Sequence, residues 1–271
     1  MGIIAKEVTS GRPSEGGHWY TLDGAPCYEI RAKSSGLMRP VTLRDARTLR
    51  LVPSVSTICA MEHKPALVKW QIEQALLSAL TLPREARESE EAFMDRARAD
   101  SQEQARKAAV HGTQLHATIQ SHFEGAPTSA EDYPYVAPVI AWLKERYGTP
   151  PLAWEAERSF AHPLGYGGKC DLLNRSVPAI ADFKCKDFGE DKQARDLAYP
   201  EHCTQLAAYA EGFRLKKYDC INIFVSTRVP GLIRVREWDT EELQQGWEVF
   251  RCFLKAWQIR KGYNCSLEAV A

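Results

Sequence analysis

The sequence predicts a mixed α/β fold, on three observations. From residue 108 onward the apolar pattern runs through two helices, three strands, a helix and a strand, with periods near 3.6 and 2 respectively. The strands come as short alternating runs such as "AWEAERSFAH", and the helices carry start and stop residues. No Gly-rich phosphate loop follows any strand, which argues against a doubly wound nucleotide-binding sheet.

Taken in order, residues 1–18 are Gly-, Ser- and Pro-bearing and are expected to be loose. "HWYTLDGAPCYEI" reads as strand, Asp23-Gly24 turn, strand, which is a hairpin. A short helix is expected from Leu43. In "KPALVKWQIEQALLSAL", Leu67, Trp70, Ala75 and Leu77 to Leu80 suit a buried helix with Pro65 in its first turn. Residues 83–107 are highly charged helix formers and read as a solvated helical hairpin. Their alternative reading is a lid or arch whose Arg96, Arg98, Arg106 and Lys107 meet a phosphate backbone. Residues 108–124 continue as a helix with Leu115, Ile119 and Phe123 on one side. "YVAPVIAWLKERYG" is a further helix, ended by Gly148 and the Pro150-Pro151 pair. Strands follow at "AWEAERSFAH", "GKCDLLN" and "AIADFKC". Then come an amphipathic helix with Pro200 at its start, the strands "YDCINIFVSTR" and "GLIRVREW", and a last helix capped by Asp239 or Thr240.

Bulk properties narrow the function. The 271 residues include 35 basic and 35 acidic side chains, so the formal net charge is zero. That weakens any role that coats nucleic acid by global charge, and leaves a local basic surface or a metal to meet such a partner. No apolar run approaches the roughly 18 to 20 residues that span a bilayer, and the N-terminus lacks the apolar segment of a secretion signal. A cytoplasmic protein without a membrane partner is expected. The eight cysteines form no CxxC pair and no tight group, so reduced buried thiols are expected and an iron–sulfur cluster is not.

The charges in "GYGGKCDLLNRSVPAIADFKCK", residues 165–186, point to chemistry. Alternation puts Asp182 and Lys184 on one face of their strand, with Ala181, Phe183 and Cys185 on the other. With the turn centred near Ser176–Val177, Asp171 lies opposite Asp182. Directly opposed residues have Cβ atoms about 4.5–5.5 Å apart. Two carboxylates there repel, and either one protonates or a cation sits between them. A hard divalent metal such as Mg²⁺ fits, because it is commonly held by one or two carboxylates plus waters and substrate phosphate. Lys184 could then stabilise charge growing on phosphorus oxygens.

Asp171, ten residues, then Asp182-x-Lys184, in this order of elements, resembles the PD-(D/E)xK nuclease superfamily. "HGTQLH" is similar to a metal-ligand helix of its RecB-like branch, which places a ligand at His116. "QLAAYAEGF" is similar to that branch's QxxxY element, giving Gln205 and Tyr209. "PSVSTI" looks like the N-terminal region of its phage and mitochondrial single-strand exonucleases. The resemblance covers roughly residues 52–227. It implies a restriction-endonuclease-like αβββαβ core with an N-terminal hairpin and added helices, residues 1–60 being an extension of a nuclease domain at 61–271. It further implies one or two Mg²⁺ or Mn²⁺ ions on His116, Asp171, Asp182 and the Phe183 carbonyl, with Lys184 orienting the attacking water. Gln205 and Tyr209 would position DNA, and Ser54, Ser56, Glu157, Lys186, Arg96 and Arg98 are candidate DNA contacts; capping a helix is the other role open to the two serines. The expected activity is exonuclease action on DNA, from free single-stranded ends, in phage or bacterial replication, recombination or repair. A recombinase, an annealing protein or a helicase is a candidate partner in the bacterial or phage-infected cell. The alternatives are a structure-specific endonuclease and a catalytically silent DNA-binding recombination factor.

Overall fold

A computed structural model describes residues 18–33, 35–148 and 153–266. The lead-in through residue 17 and the Pro150-Pro151 pair lie outside the described residues. The centre of the fold is a five-stranded sheet of β5 (Glu155–His162), β6 (Tyr166–Asn174), β7 (Ala179–Lys186), β8 (Asp219–Ser226) and β9 (Ile233–Trp238), in that spatial order. Only β7 and β8 run parallel, and their crossover carries α6 (Ala194–Leu197) and α7 (Pro200–Gly212). The chain is therefore a mixed α/β fold with the αβββαβ order expected from its sequence.

Strand alternation sends side chains into two cores. On one face α4 (Glu90–Phe123) and α5 (Tyr133–Tyr147) bury Leu115, Ile119, Phe123, Val139 and Leu143 against Ala181, Phe183 and Ile223. On the other, α2 (Val55–Cys59), α7 and α8 (Thr240–Lys261) pack against Ile180, Leu173 and Cys220. At about 25 cal/mol per Å² of apolar area, these two faces supply the driving force that sets the strand register. The terminal helix starts where Asp239 accepts a hydrogen bond from the Glu242 N–H at 2.8 Å, which decides between the two expected caps.

Three expectations change. "HWYTLDGAPCYEI" turns at Asp23-Gly24 but closes with a single bridge, Tyr20 to Pro26. Its strand β1 (Trp19–Tyr20) pairs instead with β4 (Val52–Pro53), and β2 (Glu29–Arg31) with β3 (Met38–Pro40). Burial explains this: Trp19, Tyr20, Val52 and Pro53 are all buried, so pairing them to each other serves the core. Helix α3 (Pro65–Thr81) forms as expected, but its apolar residues are not buried: Leu67, Trp70, Leu77 and Leu80 are all exposed, Leu80 by 84%. It packs against α4, where Ser78 donates to Asp100. The charged segment is the start of the single long helix α4, capped by Ser89, so the helical hairpin is α3–α4 with residues 83–89 as its tip. The remaining helix, α1 (Leu43–Leu49), is capped by Thr42 and Asp45.

Candidate active site at the opening of the sheet

Strand β6 changes partners along its length. Residues 172–174 pair with β7, ending at Leu172 opposite Ala181, while Gly167 bridges to Ser54 beside β4. Between them the β7 edge of β6 is unladdered, and Asp171 sits in that opening. The register, extended by one residue, carries Asp171 to a place across from Asp182. Its carboxylate takes the position of a missing ladder bond and accepts the Phe183 N–H at 2.7 Å.

The same point disturbs β5. Cys170 and Leu173 both face the α7 side while Leu172 faces the α4 side, so alternation breaks at Asp171. Across the strand pair it breaks again between Ala156 and Phe160. Glu157, the residue opposite Asp171, has φ +54°, in the left-handed region that a non-glycine residue seldom occupies. Strain of this kind, costing of order 1–3 kcal/mol, persists where surrounding structure enforces it.

The twist delivers Glu157 to His116 and Asp171. One ligand atom from each of the three lies within 4.8 Å of the others. His116 Nε2 is 3.4 Å from Asp171 Oδ1, and its ring meets Phe183 edge-on at 5.9 Å. Helix α4 aims the histidine by burying Leu115, Ile119 and Phe123 on the adjoining face. Gly112, one turn earlier, passes Cys185 with room for a Cβ at 3.5 Å, so the approach of the helix does not depend on that glycine. An imidazole and two carboxylates form a reasonable donor set for a divalent cation. Lys169 pairs with Glu157.

Asp182 belongs to a second, connected group. It is 2% exposed, and its Oδ2 accepts from Lys184 Nζ at 2.6 Å and from Asn222 Nδ2 at 2.8 Å. Lys184 Nζ also donates to Gln205 Oε1 at 3.2 Å, and Gln205 Nε2 donates to the Tyr209 hydroxyl at 2.8 Å. Residues 205 and 209 stand one turn apart on α7, so one helix face meets the strand. Tyr209 reaches the sheet because Gly168 has no side chain: a Cβ there would lie 2.9 Å from both the Tyr209 and the Phe160 rings.

Burial opposes every charge in the site, and the pairings decide the outcome. Asp171 is pushed up by burial, but His116, Lys184 and the Phe183 N–H outweigh that and hold its carboxyl below the usual range. For Asp182, burial and the charge of Asp171 prevail over Lys184 and raise it. Burial lowers His116 and Lys184, yet the two aspartates raise both on balance. The pairings thus keep opposite charges close together within a buried group.

The remaining candidates have these partners. Ser54 is the N-cap of α2, accepting from the Thr57 N–H at 3.0 Å, while Ser56 is exposed beside it. Lys186 donates to the Leu197 carbonyl at 2.9 Å and lies 4.3 Å over the Tyr199 ring, with burial lowering its amine to about 8. Arg96 bonds Glu88 and the Pro83 carbonyl, and Arg98 bonds Asp95. Twenty helical residues separate Arg96 from His116, about 30 Å along α4. Three residues of the site were not expected from the sequence: Asn222, Trp238, whose Nε1 donates to Asn222 Oδ1 at 2.8 Å, and Lys169. The signal for Asn222 was a lone amide inside the apolar run "CINIFV". A small cavity of about 110 Å³ opens beside the site between Tyr20, Tyr28, Ser56, Lys169 and Tyr209.

No family model matches the chain, and no curated protein matches it. Among solved structures, the chain is similar to a provisionally named exonuclease from Eubacterium rectale, with 16% identity over 56% of this chain and 68% of that one and a TM-score of 0.40. It is also similar to a protein named SSO0001, with 14% identity over 69% of this chain and 86% of that one and a TM-score of 0.30. Among the described residues no helix is long and apolar enough to cross a membrane.

Proposed function

We propose that the protein is a divalent-metal-dependent deoxyribonuclease acting as an exonuclease on free single-stranded ends. One observation carries the reading. His116, Glu157 and Asp171 converge at the opening of the sheet, beside an Asp182–Lys184–Gln205–Tyr209 chain of hydrogen bonds. The three converging side chains would hold Mg²⁺ or Mn²⁺, with Asp182 across the opening. A cation there lowers the pKa of a bound water and offsets phosphodiester charge.

The chain's own groups do the rest. Lys184 keeps its proton beside Asp182 and offers an N–H to a phosphoryl oxygen or to the attacking water. Gln205 fixes the ammonium, and Tyr209 fixes Gln205. The opening beside Tyr28, Ser56 and Lys169 would meet the backbone of the nucleotide next to the cleaved bond, the lysine facing phosphate. Preorganised charge of this kind favours a reaction that spreads negative charge over phosphorus oxygens.

Asp182→Ala and Lys184→Ala test this. Each should abolish degradation of a labelled linear oligonucleotide in Mg²⁺ or Mn²⁺ while circular dichroism stays native. Near-wild-type degradation by either variant overturns the site. A covalently closed single-stranded circle separates the two modes of cleavage, because an exonuclease leaves it intact.

A further inference from the structure

Asn222 has no contact with solvent and so cannot touch a substrate. It is nevertheless held at both ends of its side chain. The parallel register of β7 and β8 sets it beside Asp182, and its Nδ2 donates to Asp182 Oδ2 at 2.8 Å. A primary amide has a donor end and an acceptor end of nearly equal shape. Turned one way it attracts a carboxylate, and turned the other it repels it.

Trp238 settles the choice. Its position on β9, opposite Cys220, brings its indole to the other end of the amide, where Nε1 donates to Asn222 Oδ1 at 2.8 Å. An indole N–H only donates, so Oδ1 must face the tryptophan and Nδ2 must face Asp182. Lys184 donates to the same Oδ2 at 2.6 Å. Two donors on one oxygen fix the carboxylate's rotation and direct Oδ1 away from both.

We propose that Asn222 and Trp238 are positioning residues that set the orientation of the Asp182 carboxylate for its part in the reaction. This rests on the nuclease reading for its activity measurement, though not for its geometry. Trp238 also forms one wall of a cavity of about 520 Å³ with Tyr199 and Arg236, so the last link of the chain is reachable from outside the site.

The test compares Trp238→Phe, Asn222→Leu and the double variant. Trp238→Phe keeps an aromatic ring on the strand and removes the indole N–H together with the fused five-membered ring. Outer hydrogen bonds of this type carry about 10- to 100-fold in activity or metal affinity. Each single variant should therefore lower kcat at least about 10-fold with KM unchanged, and the double variant should be no slower than Asn222→Leu alone, because Trp238 acts through Asn222. Unchanged kcat, or losses that multiply in the double variant, overturn the proposal. Side-chain amide exchange, followed by NMR, reads the geometry without any reaction. The Asn222 NH₂ protons should exchange at least about 10-fold faster in Trp238→Phe than in the parent. Equal exchange rates overturn the proposal even with an active enzyme. A parent protein that cleaves no DNA but gives the expected exchange difference overturns the nuclease reading alone.

Discussion

Gly168→Ala places one methyl group at the point where β6, α7 and β5 meet. The added Cβ would lie 2.9 Å from the Phe160 ring and 2.9 Å from Tyr209 Cε1. Ordinary carbon contacts sit at about 3.5–4.0 Å, so the shortfall is about 0.6 to 1.1 Å. Neither ring can yield freely, since Phe160 is 7% and Tyr209 4% exposed. Overpacking of this kind costs about 1–3 kcal/mol, and each kcal/mol lowers Tm by about 2–4 °C in a chain of this size. The drop should be roughly 2–12 °C. The relaxation should pass to the site, because Tyr209 is joined to Gln205 at 2.8 Å and Gln205 to Lys184 at 3.2 Å. A misplacement near 1 Å costs on the order of 100-fold in rate. Differential scanning calorimetry and the rate of mononucleotide release from a single-stranded oligonucleotide measure the two effects. An unchanged Tm together with an unchanged rate would refute the claim that Gly168 is what admits Tyr209 to the sheet.

Two further outcomes are expected. Glu157→Gly should relieve the left-handed strain at φ +54°, holding or raising Tm by up to about the equivalent of 1 kcal/mol, while calorimetric Mn²⁺ affinity falls at least about 10-fold; a variant that loses stability and keeps its metal contradicts the role given to Glu157. His202 is buried, its Nδ1 accepts the Tyr199 N–H, and burial followed by the charge of Lys186 pushes its pKa well down. The unfolded chain takes up that proton as pH falls below about 6.5 while the folded one does not, so stability should be full above that pH and decline below it. His162, lowered by burial to about 4, acts in the same sense. Melting curves between pH 8 and 5 should show a shallower decline in His202→Gln, and an equal slope would remove His202 from the account.

Much of the fold can be read from periodicity. Alternation in "AIADFKC" separated Asp182 and Lys184 from Ala181 and Phe183, and the two cores keep that division. The helical spacing of Leu115, Ile119 and Phe123 placed them together in the core beside His116. The apolar stripe of α3 misled, because periodicity reports which residues share a face and not whether anything covers it. The β1 strand misled for a related reason: the turn at Asp23-Gly24 is local, whereas the pairing that buries Trp19 joins residues more than thirty positions apart.

The sequence by itself determined the order of elements, the facing carboxylates and the i, i+4 pair of Gln205 and Tyr209, because each depends on backbone period or on near neighbours. Tertiary structure alone brought Glu157 within reach of His116 and Asp171, with Asp182 across the opening. It also decided that Asn222 and Trp238 hold Asp182. These depend on where β6 leaves β7 for β4, on a left-handed residue that breaks alternation, and on a buried amide whose partners come from two other strands. The stretch "GYGGKCDLLNRSVPAIADFKCK" carries the charges, but the opening that makes a site of them is formed by chain from both of its flanks.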